Sequence, residues 1–281
     1  MATYPRMTRF AELAERYNDF LVDQWGVLHN GQVAYPGVRE CLRQLRARGK
    51  RVILLSNSGK LARSNVSRLA QFGIGPDDYA GIITSGDVAR KQLEERGFPF
   101  TVEQGRRYLL LSSDEDQTLV DGLELEPVTT VREADFILLA GVRDDRDARF
   151  YQAMLDQALS RRCPLVCINP DRVRFSAGRL TFSAGAVAEA YQAMGGVVHA
   201  IGKPYPAIYH YCQRLFPDLI PELSLAVGDS LFHDVQGGAR FGVSTAWVTS
   251  GIHQYDPDLS GAMNFFGIRP EQHPLDGGGF N

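Results

Sequence analysis

Short apolar runs alternate with stretches of helical spacing along most of the chain, and this alternation restricts the fold more than any other feature. FLVD (20–23) and RVILLS (51–56) read as strands of near-continuous apolar character, as expected where both sheet faces are covered. Between them Pro36 and Gly37 open a helical stretch, VRECLRQLRAR, which Gly49 ends. A helix over 62–72 that stops at Gly73, a strand AGIITS (80–85) and a helix DVARKQLEERG (87–97) follow. Repeated βαβ units imply a parallel sheet with helices on both faces.

The middle of the chain repeats the pattern with a break. GRRYLLLSS, ADFILLAG and CPLVCIN are predicted strands, with helical patterns near Gln117 and at 149–160. RVRFSAGRLTF (172–182) then reads as a hairpin around Ala177 and Gly178. After a helix at 186–194, the strand VVHAIG (197–202) is expected to return to the main sheet, followed by helix 207–216, strand LSLAVGD, helix HDVQGGARF and strand VSTAWVT. The expectation is therefore an α/β fold with a Rossmann-like, doubly wound parallel-sheet core. The core spans 1–97 and 185–281, and an inserted α/β unit spans 98–184. The last dozen residues, PEQHPLDGGGFN, read as a tail.

Composition narrows the partners. A formal net charge of −3 with no long run of one sign argues against nucleic acid or an anionic membrane bound mainly through charge. No apolar run reaches the roughly 18 residues needed to cross a bilayer, and the N-terminus lacks the apolar stretch of a signal peptide. The four cysteines, Cys41, Cys163, Cys167 and Cys212, lack the paired spacing of a zinc site and read as reduced core thiols of a cytoplasmic protein.

Ligands of a doubly wound sheet sit beyond the C-terminal ends of its strands. There the chain carries Asp23, then Ser56-Asn57-Ser58-Gly59, then Lys203, and then Asp229 with Asp234 five residues on. Carboxylates supply the hard oxygen ligands that Mg²⁺ prefers. A lysine neutralises phosphate charge, and a hydroxyl beside N–H groups that feed a helix holds phosphate oxygens. An aspartate can act as nucleophile through an aspartyl-phosphate. No dinucleotide fingerprint, P-loop or nucleophile elbow is present.

The set LVDQWGVLHNG, ILLSNSG, IGKP and VGDSLFHDVQGGARFG, with INPD and FSAGAVAEAYQAMGG between, resembles the haloacid dehalogenase superfamily, class IIA (the NagD-like branch), over roughly 18–252. The resemblance implies a cap over the site, Mg²⁺, and phosphatase chemistry on a small phosphorylated metabolite. It makes Asp23 the nucleophile and a metal ligand, with the Trp25 carbonyl and Asp229 as further ligands. Asp234 would stand behind the metal, and Lys203 would hold phosphate against Asp23. Ser56, Asn57 and Ser58 would bind phosphate, and Asn169, Pro170 and Asp171 would face substrate from the cap. Cap-mediated dimers are common in this branch, so a homodimer is one expected assembly.

The departure lies at position 25. Phosphatases of this superfamily carry there a second aspartate that protonates the leaving group and then activates water. Trp25 can do neither, because its indole N–H only donates. His29, four residues on, is a candidate substitute. Dehalogenases carry aromatic residues at this position but lack the carboxylates that this chain keeps at 229 and 234. Three functions stay open: a phosphohydrolase of reduced scope, a phosphate-binding protein that has lost activity, and a phosphotransferase whose aspartyl-phosphate outlives the missing base.

Overall fold

The computed structural model describes residues 10–95, 98, 105–176, 179–249 and 251. Its strands form two parallel five-stranded sheets and one hairpin. In the first sheet the spatial order is Ser244–Trp247, Ser224–Gly228, Asp19–Val22, Arg51–Ser56, Gly81–Thr84. Every neighbouring pair is parallel, and Val22 lies level with both Val227 and Leu54. From Asp19–Val22 the chain winds outward one way through Arg51–Ser56, and it later comes back on the other side as Ser224–Gly228. The strand order therefore reverses at Asp19–Val22, which puts a crevice beyond Val22 and Gly228 at the topological switch point.

The second sheet runs Val198–Ala200, Leu165–Cys167, Phe136–Leu139, Arg107–Leu111, Glu126–Pro127, again all parallel. One expectation is corrected here. Val198–Ala200 was read as returning to the main sheet, but it hydrogen-bonds to Leu165–Cys167 in the second. The preceding helix, Ala184–Ala193, buries Ala184, Val187 and Tyr191 in the same apolar cluster as Leu165 and Ile137. The chain thus stays with the second sheet through Ala200, past the expected boundary at 184. A three-residue apolar strand carries no mark of which sheet it joins; that depends on where its helix packs.

The predicted hairpin is present, Val173–Ser176 antiparallel to Arg179–Phe182; its turn at 177–178 and the expected tail lie outside the described residues. The helix expected near Gln117 is a single turn, with the N–H groups of Val120 and Asp121 both donating to the Gln117 carbonyl. HDVQGGARF divides into a π-helical turn, Leu231–Gln236, and a short α-helix, Gly237–Phe241.

One buried cluster joins the sheets. It contains Leu21, Ile53 and Ile83 of the first together with Tyr108, Phe136, Leu138 and Val166 of the second. Helix Ser85–Glu94 adds Val88, Ala89 and Leu93 to it. That helix is fixed by a capping box: the Thr84 hydroxyl accepts from the Asp87 N–H, and Asp87 accepts from the Thr84 N–H, both at 3.0 Å. Asp87 also accepts from the Ala62 N–H at 3.1 Å, which ties this helix to the loop after Ser56.

Candidate active site

Asp23 follows the central strand of the first sheet and Asp229 follows the strand beside it, so parallel register alone brings them together. Asp234 reaches the same point from the π-helical turn, whose N-cap Ser230 accepts from the His233 N–H while the Ser230 N–H donates to Asp234 at 3.0 Å. Carboxylate oxygens of Asp23, Asp229 and Asp234 all lie within 4.8 Å of one another. The Lys203 ammonium stands among them, donating to Asp23 at 2.8 Å and to Asp234 at 2.6 Å.

These groups are out of water: Lys203 is 3 % exposed, and Asp229 and Asp234 are 4 % exposed each. Burial raises the Asp23 carboxyl, Lys203 pulls it down, and Asp234 and Asp229 push it up again, leaving it well above the ordinary range. Burial by itself would lower Lys203, but Asp23 and Asp234 outweigh it and hold the ammonium charged. Asp23 and Asp234 share this one ammonium with Asp229 close by, so with all three carboxyls ionised the cluster carries a net charge of about −2. A hard dication is what such a donor set accommodates.

Glycine lets the loops close on this cluster. Gly26 has φ +81°, and a Cβ there would overlap the Asp229 carboxylate; a Cβ at Gly228 would overlap Asp234. Neither glycine belonged to the sequence-derived site, although both stand beside the motif aspartates.

Asn57, 4 % exposed, has its side chain fully engaged. Its oxygen accepts from the Lys203 N–H at 2.7 Å, and its amide donates to the Lys203 carbonyl at 3.2 Å and to Asp171 at 2.8 Å. Three loops distant in sequence meet on this one side chain, and only the Asn57 backbone N–H remains for an anion. Ser56 Oγ accepts from the Ser58 N–H, while Ser58 Oγ accepts from the Lys60 N–H and from Asn65. Asn169 accepts from the Asp171 N–H at 3.0 Å and so shapes the loop that presents Asp171. His233, absent from the sequence-derived site, lies 3.5 Å from Asp171. Burial lowers its pKa against the opposing pull of Asp171 and Asp234. Its only signal in the sequence was adjacency to Asp234.

The chain belongs to the haloacid dehalogenase superfamily. A solved hydrolase of the haloacid dehalogenase-like family from Brucella suis superposes with a TM-score of 0.80 at 30 % identity, covering 88 % of this chain and 91 % of that one. The sequence profile of the haloacid dehalogenase-like hydrolases matches residues 20–126, and a second profile of similar hydrolases matches 200–265. Human chronophin is 27 % identical over 86 % of this chain and 84 % of its own length. Human glycerol-3-phosphate phosphatase is 29 % identical over 83 % and 78 %. These relatives make the chain a class IIA hydrolase of the superfamily.

Trp25 stands where the resemblance implies a second aspartate, and the structure argues against the candidate substitute, His29. His29 is 4 % exposed, its ring centroid is 4.7 Å from that of Phe72, and its Nδ1 accepts from the Gly31 N–H at 3.0 Å. Burial, reinforced by Arg68, lowers its pKa to about 4. It is a neutral structural imidazole at pH 7, poorly suited to proton transfer. Trp25 itself is half-buried, with its ring 6.2 Å from Phe175 of the hairpin. Among the described residues, no helix is long and apolar enough to cross a membrane. The four cysteines are free, and burial raises the thiols of Cys163, to about 11, and Cys212, to about 12.

Proposed function

We propose that this hydrolase is a Mg²⁺-dependent phosphatase of small phosphate monoesters, with Asp23 as nucleophile and without a proton donor at position 25. The observation that carries the reading is the buried convergence of Asp23, Asp229 and Asp234 on Lys203. Phosphatases of this family use Mg²⁺. Here Asp23, Asp229 and the Trp25 carbonyl would hold it, and when bound it would neutralise phosphate charge and lower the Asp23 carboxyl to its ionised form.

Lys203 holds a phosphoryl oxygen and the Asp23 carboxylate within reach of one another. Ser56 Oγ and the backbone N–H of Asn57 take further phosphate oxygens. An Asp23 oxygen bonds to phosphorus as the ester P–O bond breaks, and the electron pair leaves on the departing oxygen. Water then bonds to the same phosphorus, the Asp23 carboxylate is released, and the proton goes to the phosphate product. Asp234 keeps Lys203 oriented through the first step. Asp171, held by Asn57, faces the substrate from the second sheet's side.

Phosphate release from a panel of esters, with and without Mg²⁺, tests this. Wild type should be active only with the metal, and Asp23→Asn should be inactive on every ester. Activity retained by Asp23→Asn would sink the mechanism. Trp25 favours one second reading, a phosphate-binding protein that keeps the pocket without turnover. Calorimetric binding of phosphate esters with Mg²⁺ and no product would establish it.

A further inference from the structure

Trp25 lies two positions after Asp23, so their Cα atoms are at most about 7 Å apart. By the resemblance, position 25 is the one from which a proton donor would otherwise serve the leaving group. Its Nε1 edge lies against Gly31, where a Cβ would come within 3.2 Å, and Arg68 donates to the Gly31 carbonyl at 3.1 Å. The Phe175 ring meets it from the opposite unit, with centroids 6.2 Å apart and planes tilted by 34°. Phe175 belongs to the hairpin strand Val173–Ser176, four positions past Asp171, and Asp171 is anchored on Asn57. Both rings are half-buried. An aromatic pair thus links the segment after Asp23 to the segment after Asp171, one ring from each side.

Two independent constraints point to the same chemical class. A site without a proton donor needs a leaving group that departs as a stable anion. An aromatic pair binds flat π-faced groups, and offers an alkyl polyol one indole N–H at most. Phenol-type oxygens meet both demands, whereas polyol phosphates meet neither.

We propose that Trp25 and Phe175 form the leaving-group subsite of this enzyme and that its substrates are aryl phosphate monoesters. The proposal rests on the phosphatase reading above. In the step it implies, the Asp23 oxygen bonds to phosphorus, the P–O(aryl) bond breaks, and the aryl oxide leaves with the electron pair and takes its proton from solvent.

The test uses the full chain with Mg²⁺ and three phosphates: 4-nitrophenyl phosphate, acetyl phosphate and glycerol 3-phosphate. Acetyl phosphate also loses a stable anion but carries no ring. Phe175→Ala should raise KM for the aryl ester by about 2- to 12-fold, the worth of one aromatic contact, with kcat within about twofold. Its constants for acetyl phosphate should stay at the wild-type values. Phe175→Leu, which keeps apolar volume in the hairpin, should show the same selective rise, and Phe175→Tyr should restore wild-type KM. Equal losses on the aryl and acetyl esters would reduce Phe175 to a support for the hairpin and overturn the proposal. An unchanged aryl KM in both Ala and Leu variants would overturn it too. Wild type that turns over none of the three overturns the phosphatase reading as well, whereas acetyl phosphate turnover without aryl preference overturns this inference alone.

Discussion

At the scale of single residues, position 25 decides the scope of the chemistry in the proposed mechanism. General acid–base catalysis contributes about 10²- to 10⁴-fold, or roughly 3–5 kcal/mol of barrier. Trp25→Asp should therefore raise turnover of alkyl phosphates by up to that factor and change aryl phosphates far less. The slope of log kcat against leaving-group pKa measures it, and an unchanged slope would show that another group already supplies the proton. His29 gives a prediction with a defined sign. Its folded pKa of about 4 lies below the ordinary 6.5, so the unfolded chain binds the proton first as pH falls. The native stability conferred by the neutral ring is complete above about pH 6.5 and is lost toward pH 4, by at most about 1.4 kcal/mol per pH unit. Urea unfolding of His29→Gln, which keeps an acceptor for Gly31, should show a shallower loss across that window than wild type.

At the scale of elements, the site depends on loops that glycine and asparagine allow to approach one another. Gly26→Ala places a Cβ on the Asp229 carboxylate and demands φ +81° of an L residue, a strain of about 1–2 kcal/mol before any clash. Titration calorimetry should find Mg²⁺ binding weakened at least tenfold, as in Asp229→Ala; wild-type affinity in both variants would remove Asp229 from the metal site. Asn57 clasps the Lys203 backbone at both its N–H and its carbonyl and also carries Asp171. Its replacement by Ala leaves buried polar groups without partners, each costing about 1–3 kcal/mol. The larger part of the loss in kcat/KM should therefore fall on kcat, through a displaced Lys203.

At the scale of the whole molecule, the two sheets share an apolar cluster and should unfold together. Both tryptophans, Trp25 and Trp247, belong to the first-sheet side, whereas helical content is spread over both sides. Tryptophan fluorescence and far-ultraviolet circular dichroism should therefore trace coincident thermal transitions. Leu138 is fully buried in the second sheet and belongs to the shared cluster. Leu138→Ala should lower both transitions equally, by about 2–5 kcal/mol. Separate transitions would show that the shared cluster does not couple the two sides.

The sequence by itself determined the alternation of strands and helices, the parallel character of the first sheet, the hairpin, and the residues that end successive strands. These follow from local apolar runs, turn residues and the rule that parallel strands present their C-terminal ends on one side. Asp23, Asp229 and Asp234 were legible for that reason, whereas Lys203 was placed through a strand expected in the first sheet that lies in the second. Only the tertiary structure decided that Val198–Ala200 joins the second sheet, because an edge strand goes where its preceding helix is buried. It also decided that His29 faces Phe72 rather than serving as an acid, that the Asn57 side chain is spent on Lys203 and Asp171, and that Phe175 meets Trp25. Each of these joins residues from different elements, and no spacing within one element encodes which side chains meet once the elements pack.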